Sequence, residues 1–296
     1  MGLKQSLLSF YDKKYKALLF FSVTILIIAI IILSVNYAKT GDLFQKGVTL
    51  KGGLTITIPV EKSYNMQEIE QKLSSKFPKA DISVREITEA GSPKAIIIEA
   101  ADVKSEELIK ELPQTGLQVK EGDYSVESMG SSLGARFFQQ TIKALIFAFI
   151  AMAIVVLFTF RAIVPSMFVI LAAFSDITCT LAVTVLLGMK LSTAGIAAFL
   201  MLIGYSVDTD ILLTTKVLKR KREGGTIFER TIGAMKTGVL MSLTSLVAAF
   251  AGYVLSQSDV IKQIMIIITI GLLIDMIMTW FQNASILRWW MEKKHK

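Results

Sequence analysis

The residues in this sequence best placed for unusual chemistry are four aspartates set in apolar runs: Asp176, Asp208, Asp210 and Asp275. A carboxyl near the centre of a membrane-spanning helix costs about 2.5–3.5 kcal/mol on insertion scales, so such residues face a protein interior and carry function. At ~1.5 Å per residue, Asp176 lies about 18 Å from one end of its run, and Asp208 and Asp275 lie about 10 Å from the corresponding ends of theirs. Asp208 and Asp210 are two positions apart, about 200° around a helix, and cannot face the same way. One lines the interior; the other meets a partner subunit, lipid headgroups or water. No Lys, Arg or His occupies the middle of any apolar run. A carboxyl that is neutral in the membrane and ionised when water enters is what a proton relay requires. Asp176, Asp208 and Asp275 are the leading candidates for that role, with Asp210 behind them. The plainer alternative is that Ser, Thr and backbone groups hold these carboxyls and they only set helix register.

The elements that must position them are six stretches, each long enough to cross about 30 Å of hydrocarbon. They fall near Ala17–Val35, Thr141–Phe160, Val164–Leu187, Leu191–Thr215, Gly238–Leu255 and Ile261–Phe281. Lys and Arg near the ends set the orientation. One side receives Lys4, Lys13, Lys14, Lys16, Arg161, the run from Lys216 to Arg222, Arg230, Lys236, Arg288, Lys293, Lys294 and Lys296; the other has Lys190 and Lys262 in its short loops. The expectation is a multi-pass protein of the cell membrane with both termini cytoplasmic. The first apolar run exceeds the ~7–15 residues of a signal peptide and reads as an uncleaved anchor.

Composition supports this setting. Of 296 residues, 53% are hydrophobic and 19% charged, and the mean hydropathy is +0.57. Both fractions depart from soluble domains in the direction of membrane proteins. One cysteine, Cys179, excludes an internal disulfide framework and a cysteine-based zinc site. One histidine, His295, excludes a catalytic triad or di-His metal site. No GxxxxGK phosphate loop is present. The chain is read as a non-enzyme with no metal and no cofactor. The net charge of +8 is uneven: residues 36–140 carry 13 Lys and Arg against 15 Asp and Glu, and the rest carries 19 against 9. The excess borders the apolar runs, where it is a topology signal rather than a nucleic-acid footprint.

Residues 36–140 change period and read as an extracytoplasmic domain. Leu54–Val60, Asp81–Ile87, Lys94–Glu99 and Leu117–Val126 read as strands, and Met66–Phe77 and Val103–Leu112 as helices, with a turn at Gly91-Ser92-Pro93. The order β-α-β-β-α-β is the ferredoxin-like pattern. It serves equally as a compact spacer or as a substrate-contacting domain. Elsewhere Gly238, Ser242, Ser245, Ala248, Ala249 and Gly252 form a small-residue seam on the fifth span. Residues 216–237 read as a cytoplasmic basic loop in which Lys219-Arg220-Lys221-Arg222 marks topology or touches anionic lipid. After Gly224-Gly225, Thr226-x-x-Glu229 is a capping box. It opens a short amphipathic helix bearing Ile227, Phe228, Ile232 and Met235 at the membrane surface.

Several segments are familiar. Gly204-Tyr205-Ser206-Val207-Asp208 on the fourth span is similar to G-Y-S-[IV]-[ND]. Gly47 to Gly53, with its Gly52-Gly53 end, is similar to G-[IV]-D-[FL]-x-G-G. Val126-Glu127-Ser128-Met129-Gly130 with Leu133-Gly134 is similar to V-E-x-V-G-P-x-x-G. Ser242-Leu243-Thr244-Ser245-Leu246 is similar to S-L-T-T-L. In order and at these topological positions, they make the chain resemble the SecD/SecF protein-export family of the resistance-nodulation-division superfamily, on its SecF side and in an archaeal form. Thr49 replaces the Asp of the second motif and Ser131 the Pro of the third. Thr215-Lys216 and Lys236-Thr237 stand where bacterial members carry an acid with Arg and an Arg-Thr pair.

The resemblance implies partnership with SecD, action on preproteins leaving the SecYEG channel, and use of proton-motive force. On this expectation Asp208→Asn reduces export without reducing assembly with SecD. The rivals are half of a solute exporter of the same superfamily and a passive scaffold subunit. The first normally has two fused six-span halves, and the second predicts that all four Asp→Asn changes are silent.

Overall fold

The computed structural model describes residues 3–89, 92–117, 119, 122–219, 226–256 and 258–294. The chain divides into two units. One comprises Lys46–Ile142 with Lys190–Thr193, and the other comprises Met1–Gln45, Lys143–Met189 and Ala194–Lys296.

In the first unit, alternation makes the sheet. Leu54, Ile56 and Ile58 of β1 (Gly53–Pro59) all point into the core, because successive strand side chains face opposite ways. β2 (Asp81–Glu89), β3 (Ser92–Ala101) and β4 (Ser125–Met129) complete an antiparallel sheet of order β2-β3-β1-β4. The one-turn α2 (Val48–Lys51) precedes β1, α3 (Met66–Lys76) joins β1 to β2, and α4 (Ser105–Glu111) follows β3. Helix α3 starts because the Asn65 side chain accepts the Glu68 amide at 3.3 Å, and it buries Ile69 and Leu73 one turn apart. Leu108, Leu112 and Leu117 close the same core. Gly53, at φ 142°, passes so near β3 that a Cβ would stand 2.4 Å from the Ala100 carbonyl oxygen. That close approach is why the paired glycines open the strand.

Two local expectations shift. Ser92 and Pro93 belong to β3 rather than to a turn, while Gly91 lies outside the described residues. The last strand begins at Ser125 rather than near residue 117. Gly116 and Gly122, at φ 91° and 96°, break the extended run, and Leu117 and Val119 pack on the core instead of pairing.

The second unit is helical. Its helices are α1 (Leu3–Thr40, bent at Lys14), α5 (Ser131–Phe160, of which 131–142 belong to the first unit), α6 (Ile163–Leu186), α7 (Thr193–Lys219), α8 (Ile227–Leu255) and α9 (Asp259–Ile277). A six-residue π-turn, Met278–Asn283, joins α9 to α10 (Ala284–Lys294). Six of the resulting rods are long and apolar enough to cross a membrane. The α6 and α7 spans are the most enclosed, while α5 leaves Phe147, Ile150 and Phe158 exposed.

The capping box at Thr226 forms, with Glu229 reaching back to the Thr226 amide at 2.9 Å. It does not open a separate surface helix, however. No proline interrupts the chain before the fifth span and Gly233 is accommodated within the helix, so a single helix runs to Leu255. Arg220-Lys221-Arg222 and Gly224-Gly225, like His295 and Lys296, lie outside the described residues.

The helix ends are tied together. The Arg288 guanidinium meets Asp12 and Glu292 at 2.7 Å each and lies over the Tyr15 ring, 4.5 Å from its centroid. Tyr15 donates to Glu292 at 2.8 Å, and Tyr11 donates to the Trp280 carbonyl at 2.6 Å.

Candidate functional site: a buried carboxylate cluster

Helix α7 buries Phe199, Leu202, Ser206, Thr209, Asp210, Leu213 and Val217, a stripe at helical spacing. Asp210 is in phase with Ser206, one turn earlier. Asp208 falls opposite, with Gly204 and Tyr205, and is exposed. Of the two, Asp210 is therefore the one that lines the interior. Ser206 and Val207 are buried beside it. Ser242 on α8 is also buried, whereas Thr244 is exposed and bonds back to the Met241 carbonyl at 2.8 Å. Gly52, Gly53 and Gly130 belong to the αβ unit.

Asp176 of α6, Asp210 of α7 and Asp275 of α9 are each at most 1% exposed. Among the described residues, no Lys, Arg or His forms an ion pair with any of them. Their partners are hydroxyls and an amide. Ser206 donates to Asp176 Oδ2. The Thr279 hydroxyl donates to Asp275 Oδ1 at 3.1 Å. Asn283 Nδ2 donates to Asp210 Oδ1 at 2.7 Å, and Gln282 Nε2 donates to the Ser175 hydroxyl at 3.0 Å. Among the described residues, Asp176 Oδ1 and Asp210 Oδ2 have no hydrogen-bond partner.

Thr209 shows what this arrangement can do. Its hydroxyl has one proton and lies 2.9 Å from the Ser206 carbonyl and 3.2 and 3.3 Å from the two oxygens of Asp275. It can donate to only one of these at a time, and it can accept from a protonated Asp275. Two hydroxyls of α7 thus serve carboxyls on the neighbouring helices, Ser206 that of Asp176 on α6 and Thr209 that of Asp275 on α9, while the Ser206 carbonyl between them only accepts. Each of these hydroxyls, and that of Thr279, can reverse its direction of donation. A fixed cation would neutralise the carboxylates permanently; hydroxyls do not.

Sequence reasoning named Asp176, Asp275 and Ser206 but missed Thr209, Thr279, Gln282 and Asn283. A signal existed. Asp275, Thr279 and Asn283 are spaced four apart, and Gln282-Asn283 is a polar pair directly after the expected end of the sixth span.

Six apolar rods around buried carboxylates, with an αβ unit inserted after the first, define a multi-pass α-helical membrane protein. The family described as Protein export membrane protein SecD/SecF, C-terminal, matches residues 110–293. The chain is 38% identical over 285 residues to the protein-export membrane protein SecF of Methanothermobacter thermautotrophicus, covering 95% of this chain and 94% of that one. It is 36% identical over 300 residues to SecF of Pyrococcus furiosus, covering 99% and 96%. The crystal structure of SecDF, a translocon-associated membrane protein from Thermus thermophilus, superposes with a TM-score of 0.76 at 17% identity, which establishes a common fold. That match covers 95% of this chain and 38% of the longer one. The chain belongs to the SecD/SecF family of protein-export membrane proteins.

Proposed function

We propose that this chain is a SecF subunit. It acts with SecD to promote preprotein export through SecYEG, and it draws on proton-motive force through Asp176, Asp210 and Asp275. On this reading it lies in the cell membrane with both termini cytoplasmic and residues 36–140 on the far side. Asp208, Gly204 and Tyr205 lie on the face that a second six-span half, that of SecD, would cover. An exposed carboxyl on a spanning helix calls for such a cover, because lipid does not solvate it.

The observation that carries the proposal is the cluster itself: three buried carboxyls on three helices, two of them bonded to reversible hydroxyls and the third to an amide, and free of any paired cation among the described residues. The test is Asp→Asn at 176, 210 and 275, which keeps the shape of the side chain and removes the titrating proton. Secretion of a reporter preprotein in cells should fall by about tenfold or more for at least one of the three, with SecD still copurifying. Normal export by all three variants would leave a passive scaffold.

A further inference from the structure

We propose that Asn283 is a positioning residue for Asp210, and that the π-turn in the sixth span is the element that delivers it. On a regular α-helix, residues four apart drift about 40° around the axis, so Asp275 and Asn283 would diverge by about 80° over their two steps. A π-turn takes an extra residue per turn and winds the drift back. In this protein it spans Met278–Asn283 and keeps Asp275, Thr279 and Asn283 on the interior side, all at most 1% exposed. The same widening lets the adjacent residues Gln282 and Asn283 reach different helices: Gln282 bonds Ser175 on α6, next to Asp176, and Asn283 bonds Asp210 on α7.

The surroundings hold the turn in this form. Trp280, buried within it, lies against α8 where Gly238 leaves room; a Cβ on Gly238 would stand 2.4 Å from the indole. Tyr11 of α1 donates to the Trp280 carbonyl. Among the described residues the amide oxygens Gln282 Oε1 and Asn283 Oδ1 have no partner, so both side chains engage through their NH₂ ends. A packing role would be served by Leu at either position, without leaving two buried carbonyls unsatisfied. Two fully buried amides, each spending its donor on the neighbourhood of a carboxyl, are placed for orientation.

The inference concerns the same site as the relay reading and rests on it for its functional consequence. Its geometric part is tested independently. The full-length chain in its own membrane is treated with dicyclohexylcarbodiimide, which adds to carboxyl groups within membranes, and labelling at each Asp is quantified by mass spectrometry.

Asn283→Leu should raise labelling of Asp210 by about fivefold or more, since the carboxyl is no longer held by its amide donor. Labelling of Asp275 should stay unchanged. Gln282→Leu removes an equal amide from the same turn and should leave Asp210 labelling unchanged. If Asn283→Leu lowers the amount of protein, Asn283→Ser, too short to reach Asp210, is read instead. Equal effects of the 282 and 283 variants on Asp210, or no effect of either, would overturn the proposal. Export by Asn283→Leu should fall along with that of Asp210→Asn. Normal export by Asp210→Asn would remove Asp210 from the relay and leave the labelling result standing.

Discussion

Gly238 and Gly233 lie on the same helix, and the same substitution should act on them in opposite directions. Gly→Ala in a helix interior gains up to about 1 kcal/mol from backbone entropy. At Gly233 a Cβ meets nothing within 4 Å, so Gly233→Ala should keep that gain. At Gly238 the new methyl would stand 2.4 and 2.9 Å from two carbons of the Trp280 ring, a rigid group only 2% exposed. Overpacking of this kind costs about 1–3 kcal/mol. The entropy gain is common to both sites and cancels in the comparison, so Gly238→Ala should be the less stable variant by about 1–3 kcal/mol. Unfolding of the purified protein by titrating denaturing into mild detergent, followed by tryptophan fluorescence, measures the difference. Because Trp280 belongs to the π-turn, Gly238→Ala should also depress export, while Gly233→Ala leaves it normal. Equal stabilities for the two variants would show that the indole has room to move, and the account of the π-turn as held from behind would fall.

Two further outcomes follow from ion pairs. Asp81 is partly buried, which opposes its charge, but Lys190 at 2.9 Å and Lys51 at 3.0 Å more than offset this and hold its carboxyl below the usual range. A lowered value means that the unfolded chain takes up the proton first. The stabilisation is thus fully present above the ordinary carboxylate value and is lost as pH falls through the depressed one. Asp81→Asn should loosen the αβ unit by no more than about 1 kcal/mol at neutral pH, since the pair is surface-exposed. Hydrogen exchange in β2 should report that loss, and the difference from wild type should vanish in strong acid or high salt. Arg288→Lys should cost about 1–3 kcal/mol, because an ammonium cannot serve Asp12, Glu292 and the Tyr15 face together. Thermal unfolding in detergent would read it, and a silent substitution would reduce the cluster to ordinary surface pairing.

The spans and most strands were legible because apolar period is a property of each segment alone. Ile69 and Leu73, or Leu54, Ile56 and Ile58, need no knowledge of the rest of the chain. The start of the last strand was less legible, since Leu117 satisfies its apolar character by packing on the core rather than by pairing. The amphipathic pattern after Thr226 was real, but continuity with the fifth span depends on the absence of a stop rather than on the pattern itself. At the site, sequence gave the carboxyls and their inability to share a face. Choosing Asp210 over Asp208 required phasing α7 from Ser206 and Leu213, both of which were in view. The π-turn was not legible. It depends on Trp280 finding space at Gly238 and on Gln282 and Asn283 finding partners more than 70 residues away, which no local propensity encodes.

The Arg288 tie also sets an order of assembly. Tyr15 and its acceptor Glu292 are 277 residues apart in the chain. At a synthesis rate of about 5–20 residues per second, the first helix waits roughly 15–55 s on the ribosome before its acceptor is made. Until then Asp12 and the Tyr15 ring lack the Arg288 guanidinium that fastens them to the far end of the chain. Closure waits until the helix after the sixth span has been made; a polypeptide cut short before residue 288 would insert its spans yet stay unfastened.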